Sequence, residues 1–121
     1  MRRLTETFMT ALFMLIGSAT LPAQDPAVVN AGIVKVNLDN NRVRVLEATL
    51  KPGEKEKQHS HPAYVVYVIA GGKVRNHNTD GTTSETTFTP GQTIYREPVT
   101  HWSENIGTTT IHTVIVELKA P

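Results

Sequence analysis

Beyond residue 24 the chain alternates apolar and polar positions with a period of two, the spacing of strands rather than helices. Residues 33–38 alternate so that Val34, Val36 and Leu38 share one face. Asp39, Asn40 and Asn41 supply a turn signal. Residues 42–50 read as a second strand whose apolar phase shifts near Val45 and Leu46, which predicts a bulge there. Lys51, Pro52 and Gly53 break it. Residues 64–70 form a continuous apolar run of strand-forming types, which predicts burial on both faces, and Gly71 and Gly72 end it. Asn78, Thr79, Asp80 and Gly81 predict a hairpin turn. Residues 82–88 and 92–97 flank a turn at Pro90 and Gly91, and residues 99–104 and 110–118 flank Asn105, Ile106 and Gly107. No helical period of useful length follows residue 24. Short strands with turn signals about every 8–12 residues predict an all-β sandwich or barrel.

The first residues follow another pattern. Arg2 and Arg3 precede an apolar run from Phe8 to Ile16, then small and turn-forming residues through Gly17, Ser18, Ala19, Pro22 and Ala23. This is the layout of a secretory signal peptide. The apolar core is short of the roughly 20 residues a spanning helix needs. We therefore expect residues 1–23 to be a leader cleaved after Ala23, with Ala19 the alternative site. Residues 24–121 would then be the mature, periplasmic or secreted domain, with no membrane span of its own. Glu6 is unusual in such a leader, and an anchoring N-terminal helix is the competing reading.

Composition narrows the chemistry. A chain of 121 residues suits one domain. It has no cysteine, so disulfides, thiolate metal sites and thiol catalysis are excluded. Any metal must be held by nitrogen and oxygen. A net charge of +1, with no basic cluster interleaved with aromatics, gives no case for nucleic acid. Loss of Arg2, Arg3 and Glu6 with the leader leaves a formally neutral domain.

The candidate chemistry lies in the histidines. His59 and His61 are separated by one residue, so on a strand they face the same way. Imidazole ligates zinc, copper, iron and nickel, and a third histidine from another strand, His101, would complete a site for a divalent transition metal. The competing reading is solvated or satisfied histidines. Alternation on the last strand, with Glu117 and Lys119 on the wet face, puts His112 inside with Val114, Val116 and Leu118. His112 is therefore a candidate fourth ligand, or a buried histidine satisfied by a hydroxyl or the backbone. His77 reads as surface. Tyr64, Tyr67, Tyr95 and Trp102 are candidates for lining a ligand pocket, against plain core or interface packing. Arg96 could grip a substrate carboxylate, or pair with a surface glutamate. The run Glu54, Lys55, Glu56, Lys57 reads as a solvated edge that discourages strand pairing.

Gly53, five further residues, His59-Ser60-His61 and then Gly71 resemble the first motif of the cupin superfamily. Gly91, Pro98, His101 and Asn105 resemble its second, with the spacing from histidine to asparagine matching. The resemblance covers nearly all of the mature domain, and is closest to small bacterial single-domain cupins. It implies a single antiparallel jelly-roll β-barrel. It is weak for function, because cupins range from dioxygenases to seed storage proteins. Family members usually place a metal-binding glutamate a few residues after the second histidine. Here that slot is Tyr64, Val65 or Val66. The resemblance then implies either a three-histidine site, as in thiol dioxygenases and some other iron cupins, or weak or lost metal binding.

Three functions follow as expectations. One is a metal-dependent enzyme acting on a small molecule, most simply an Fe(II) dioxygenase. Another is a non-catalytic module binding a small ligand or metal. The third is a hydrolase or isomerase using Zn, Mn or Ni. A small mature domain with an apolar strand at residues 64–70 also predicts a homodimer.

Overall fold

The computed structural model describes residues 24–121; the expected leader lies outside the described residues. A one-turn helix α1 (Pro26–Val29), which the pattern did not predict, opens the domain. Asp25 caps it by accepting from the Ala27 N–H, and Pro26 stands in its first turn, where a missing N–H costs nothing.

Nine strands follow: β1 (Val34–Asp39), β2 (Val43–Leu50), β3 (His59–His61), β4 (Tyr64–Ala70), β5 (Gly72–Asn78), β6 (Thr83–Phe88), β7 (Thr93–Arg96), β8 (Val99–Asn105) and β9 (Ile111–Leu118). They form a five-stranded sheet, β1-β2-β9-β4-β7, and a four-stranded sheet, β3-β8-β5-β6. Every pairing is antiparallel. The all-β jelly-roll expectation holds, as two facing sheets rather than one hydrogen-bonded closed barrel. Leu46 and Val68 are fully buried between them. Leu50, Val74 and Ile111 join the sheets near one end.

Three details differ from the sequence pattern. The irregularity expected in β2 falls in its partner: Val36 pairs with Leu46 and Leu38 with Val45, so Asn37 is the extra residue. β2 stays in unbroken register with β9 from Val43 to Leu50, and the edge strand absorbs the bulge. β4 is not buried on both faces. Tyr64, Val66 and Val68 point inward, while Tyr67 and Ile69 are exposed, because nothing among the described residues covers the outer face of the five-stranded sheet.

The third difference matters most for function. β9 runs in the opposite phase to that expected. Ile111, Thr113 and Glu117 are buried, and His112 and Leu118 lie on the outer side. A carboxylate can sit inside because Arg44 is directly opposite Glu117 on β2 and bonds to it through Nε at 2.7 Å.

Candidate metal centre

β3 pairs with β8 so that His59 stands opposite His101 and His61 opposite Val99. Period-two alternation sends His59 and His61 inward, and the pairing brings His101 to the same face. The ring centroids lie 4.8 Å apart for His59 and His61, 4.9 Å for His59 and His101, and 5.7 Å for His61 and His101, all edge to face. One ring nitrogen from each lies within 4.8 Å of the others.

Each of the paired histidines is oriented from behind. The His59 Nδ1 lies 2.8 Å from the Lys57 carbonyl, which can only accept, and 3.2 Å from the Asn30 amide nitrogen; the shorter contact assigns the proton of the neutral ring to Nδ1. Asn30, just after α1, fixes that carbonyl segment by donating to the Lys57 carbonyl and accepting from its N–H. The His61 Nδ1 donates to Glu117 at 2.7 Å. Behind Glu117 stands Arg44, which grips Asp25 through two bonds of 2.8 and 2.9 Å. Asp25, Arg44, Glu117 and His61 thus form one chain of charge-assisted bonds running from the helix cap to the cluster. In both rings Nε2 is left as the nitrogen with a free lone pair. Tyr64 stacks on His61 with centroids 4.5 Å apart.

Burial holds His59 and His101 neutral. It pulls His59 down to about 4, against the favourable Lys57 carbonyl, and His101 down to about 3, helped by His59, His61 and Arg96 nearby. Burial by itself would raise Glu117, but its bonds from His61 and Arg44 outweigh this and hold it below the usual carboxylate range. Neutral imidazoles are the form that ligates a metal. Metal–nitrogen bonds of about 2.0–2.1 Å set donors roughly 3–3.4 Å apart, so the rings would close in on a bound metal. The donor set therefore fits a divalent transition metal.

The cluster forms part of the wall of a cavity of about 490 Å³ between the sheets. Apolar side chains such as Leu50, Val66, Phe88 and Ile115 line most of it, with Asn76 and Ser103 among the polar exceptions. Tyr64 and Arg96 also line it, and their positions pair across β4 and β7. Arg96 takes no part in the ion pairs among the described residues, contrary to the surface salt bridge considered for it.

The other candidates lie elsewhere. His112 is on the outer face, paired with Glu47 at 2.6 Å, so it cannot reach the cluster; the phase of β9 removes it. Tyr67 is exposed on the outer face of β4. Tyr95 is opposite Val65 on the same outer side, exposed, although its position lies at the cavity margin. Trp102 leaves the pocket altogether. It stacks on His77 outside the four-stranded sheet, centroids 3.6 Å apart and planes 5° from parallel, with His77 bonded to Glu104. His77 thus lies on the outer face, as expected, partly covered by Trp102.

Glu56 is a residue that sequence reasoning missed. In the run that reads as a solvated edge, Lys55 and Lys57 are exposed, while Glu56 turns inward and lines the cavity. Its Oε2 is 3.3 Å from the His59 Nε2, and burial pushes its carboxyl up to about 8. The only available signal was alternation itself, since Glu56 and Lys57 fall on opposite sides of an extended segment.

No protein-family profile and no curated protein matches the sequence. Solved structures do. A cupin domain from Bordetella pertussis Tohama I is 32% identical, with a TM-score of 0.67 over 73% of this chain and 93% of that one. A double-stranded β-helix protein from Klebsiella pneumoniae is 25% identical, with a TM-score of 0.59 over 71% and 75% of the two chains. An RmlC-like cupin from Methanocaldococcus jannaschii, 19% identical with a TM-score of 0.58 over 72% and 79%, supports the fold alone.

Proposed function

The chain belongs to the cupin superfamily, and on that premise we propose that it binds one divalent transition metal through His59, His61 and His101 and acts there on a small molecule. The observation that carries the reading is the convergence of three imidazoles, two of them oriented from behind, on a largely apolar cavity. The three histidines do not themselves reduce the metal's charge, and they leave coordination positions free on the cavity side. Fe(II), when bound, would supply electrons to dioxygen, and we take dioxygenase-type chemistry as the function this donor set supports best.

The chain's own residues have separable parts in such a site. Glu117 and the Lys57 carbonyl hold the rings in the ligating tautomer. The apolar walls exclude water from a bound ligand. Arg96, free of carboxylate partners among the described residues, offers a cation to an anionic group on that ligand. The outer face of the five-stranded sheet, with Tyr67, Ile69, Tyr95 and Leu118 exposed, is the surface we propose for pairing with a second copy.

The test is metal analysis of protein purified without chelators, followed by oxygen uptake with Fe(II) and a panel of small aromatic and chelating acids. Uptake that depends on both Fe(II) and a panel member supports the enzyme. Tight metal binding with no turnover on any panel member transfers the site to a binding module.

A further inference from the structure

We infer that Glu56 is the fourth, anionic ligand of the metal, entering from the segment before the histidine pair instead of after it. The inference rests on the metal-binding reading above and names a residue which that reading does not require. The slot after His61, where a carboxylate would ordinarily be sought, is Tyr64, Val65 or Val66, none of them a carboxylate, and the Tyr64 ring stacks on His61. Glu56 arrives from the other side. Its backbone N–H donates to the Ser103 carbonyl at 2.9 Å, which ties it to β8, and Asn30 pins the next residue, Lys57.

Proton counting gives the chemical reason. The His59 ring carries its proton on Nδ1, toward Lys57, so Nε2 presents a lone pair. An ionised carboxylate presents only lone pairs. Two acceptors 3.3 Å apart repel unless a proton or a cation lies between them. Among the described residues the Glu56 carboxylate has no other partner, and its side chain is only 14% exposed. Glu117 shows the contrast: the same residue type, also buried, is fully bonded to Arg44 and His61. The distance suits a metal. Two ligands on bonds of about 2.0–2.1 Å at a tetrahedral angle lie roughly 3.3 Å apart. A metal in the gap displaces the proton that Glu56 otherwise needs, and the buried charge gains its counter-ion.

Calorimetry and visible absorption with Co(II) alone test this on the full chain, comparing wild type with Glu56→Gln, Glu56→Asp and His101→Ala. Wild type is expected to bind one Co(II). Glu56→Gln should weaken binding at least tenfold and alter the visible ligand-field bands, with the metal-free variant at least as resistant to urea as wild type. Glu56→Asp keeps the charge but shortens the reach, so it should also alter the bands. Co(II) affinity and bands unchanged in both Glu56 variants, with binding lost in His101→Ala, would overturn the Glu56 assignment and leave the histidine site standing. A wild-type protein that takes up no Co(II) would overturn the metal reading itself, and this inference with it.

Discussion

Replacing Glu117 with glutamine separates orientation of the site from its composition, because Glu117 points away from the cluster and acts through His61. The carboxylate is 3% exposed and accepts two bonds of 2.7 Å, from the His61 Nδ1 and the Arg44 Nε. Glutamine keeps the shape but has one acceptor. Its oxygen is claimed by the Arg44 guanidinium, which cannot give up its protons, so its NH₂ faces His61. Nδ1 must then accept, and the ring proton moves to Nε2, the nitrogen otherwise free for a metal. Both bonds survive but lose the carboxylate's charge; bonds to charged groups are worth about 1.5–3 kcal/mol against about 0.5–1.5 for neutral ones, so urea unfolding of the metal-free protein should show a loss of about 2–3 kcal/mol over the two. Outer-sphere partners of ligating histidines typically change metal affinity about 10–100-fold, and a tautomer switch belongs at the upper end. Titration calorimetry with Zn(II) reads the affinity, and long-range ¹⁵N–¹H correlation spectra read the His61 tautomer. Glu47→Gln, which touches His112 on the outer face, is the control and should leave both unchanged. Affinity within twofold of wild type, with His61 still protonated on Nδ1, would refute the orienting role.

Stability of the metal-free protein should peak near pH 6.5. His59 and His101 have folded values lowered to about 4 and 3, so their contributions are present above 6.5 and are lost as pH falls below it. Glu56, raised to about 8, contributes below 4.5 and loses its contribution as pH rises through 8. Between about 4.5 and 6.5 the unfolded chain therefore binds a net one extra proton, and stability falls by about 1.4 kcal/mol for each unit that the pH drops. Denaturant midpoints measured from pH 4.5 to 9 that rise steadily to pH 9 would contradict this. Light scattering should give a dimer mass at micromolar concentration, and Tyr67→Glu combined with Ile69→Glu should give a folded monomer; a wild-type monomer rejects the pairing face. Export predicts that protein recovered from periplasm or medium begins at Gln24, or at Thr20 for the alternative cleavage; a product retaining Met1 in the cytosol rejects the leader.

The strands and the histidine cluster were legible because both follow from one period. Alternation fixed where His59 and His61 must point relative to each other, and turn residues such as Gly53 and Gly91, with φ of 80° and 82°, marked the breaks. The absolute phase of β9 was not legible. Val114 and Val116 made one face look like core, and the charge of Glu117 made the other look wet. The residue that reverses the phase, Arg44, is 73 positions away in sequence, and only register places it opposite. The inward placing of His112 fails by the same inversion. Tyr67 and Ile69 mislead differently: an apolar outer face reads as core in a sequence and becomes an exposed patch in a monomer.

The two interior carboxylates explain why the apparent lack of a ligand was a poor guide to the site. Both Glu56 and Glu117 sit in runs that read as solvent-facing, and both turn inside for opposite reasons. Glu117 is stabilised as an anion by Arg44 and His61, which makes it a fixed negative charge suited to orienting a ring. Glu56 has no such support, and burial raises it toward the neutral acid. A buried acid without a partner lowers the stability of the ionised fold, and the penalty disappears when a cation arrives. Glu117 thus serves the site whether or not metal is bound, whereas Glu56 favours the bound state over the free one. The cost of keeping Glu56 inside becomes metal affinity once the gap beside the His59 Nε2 is filled.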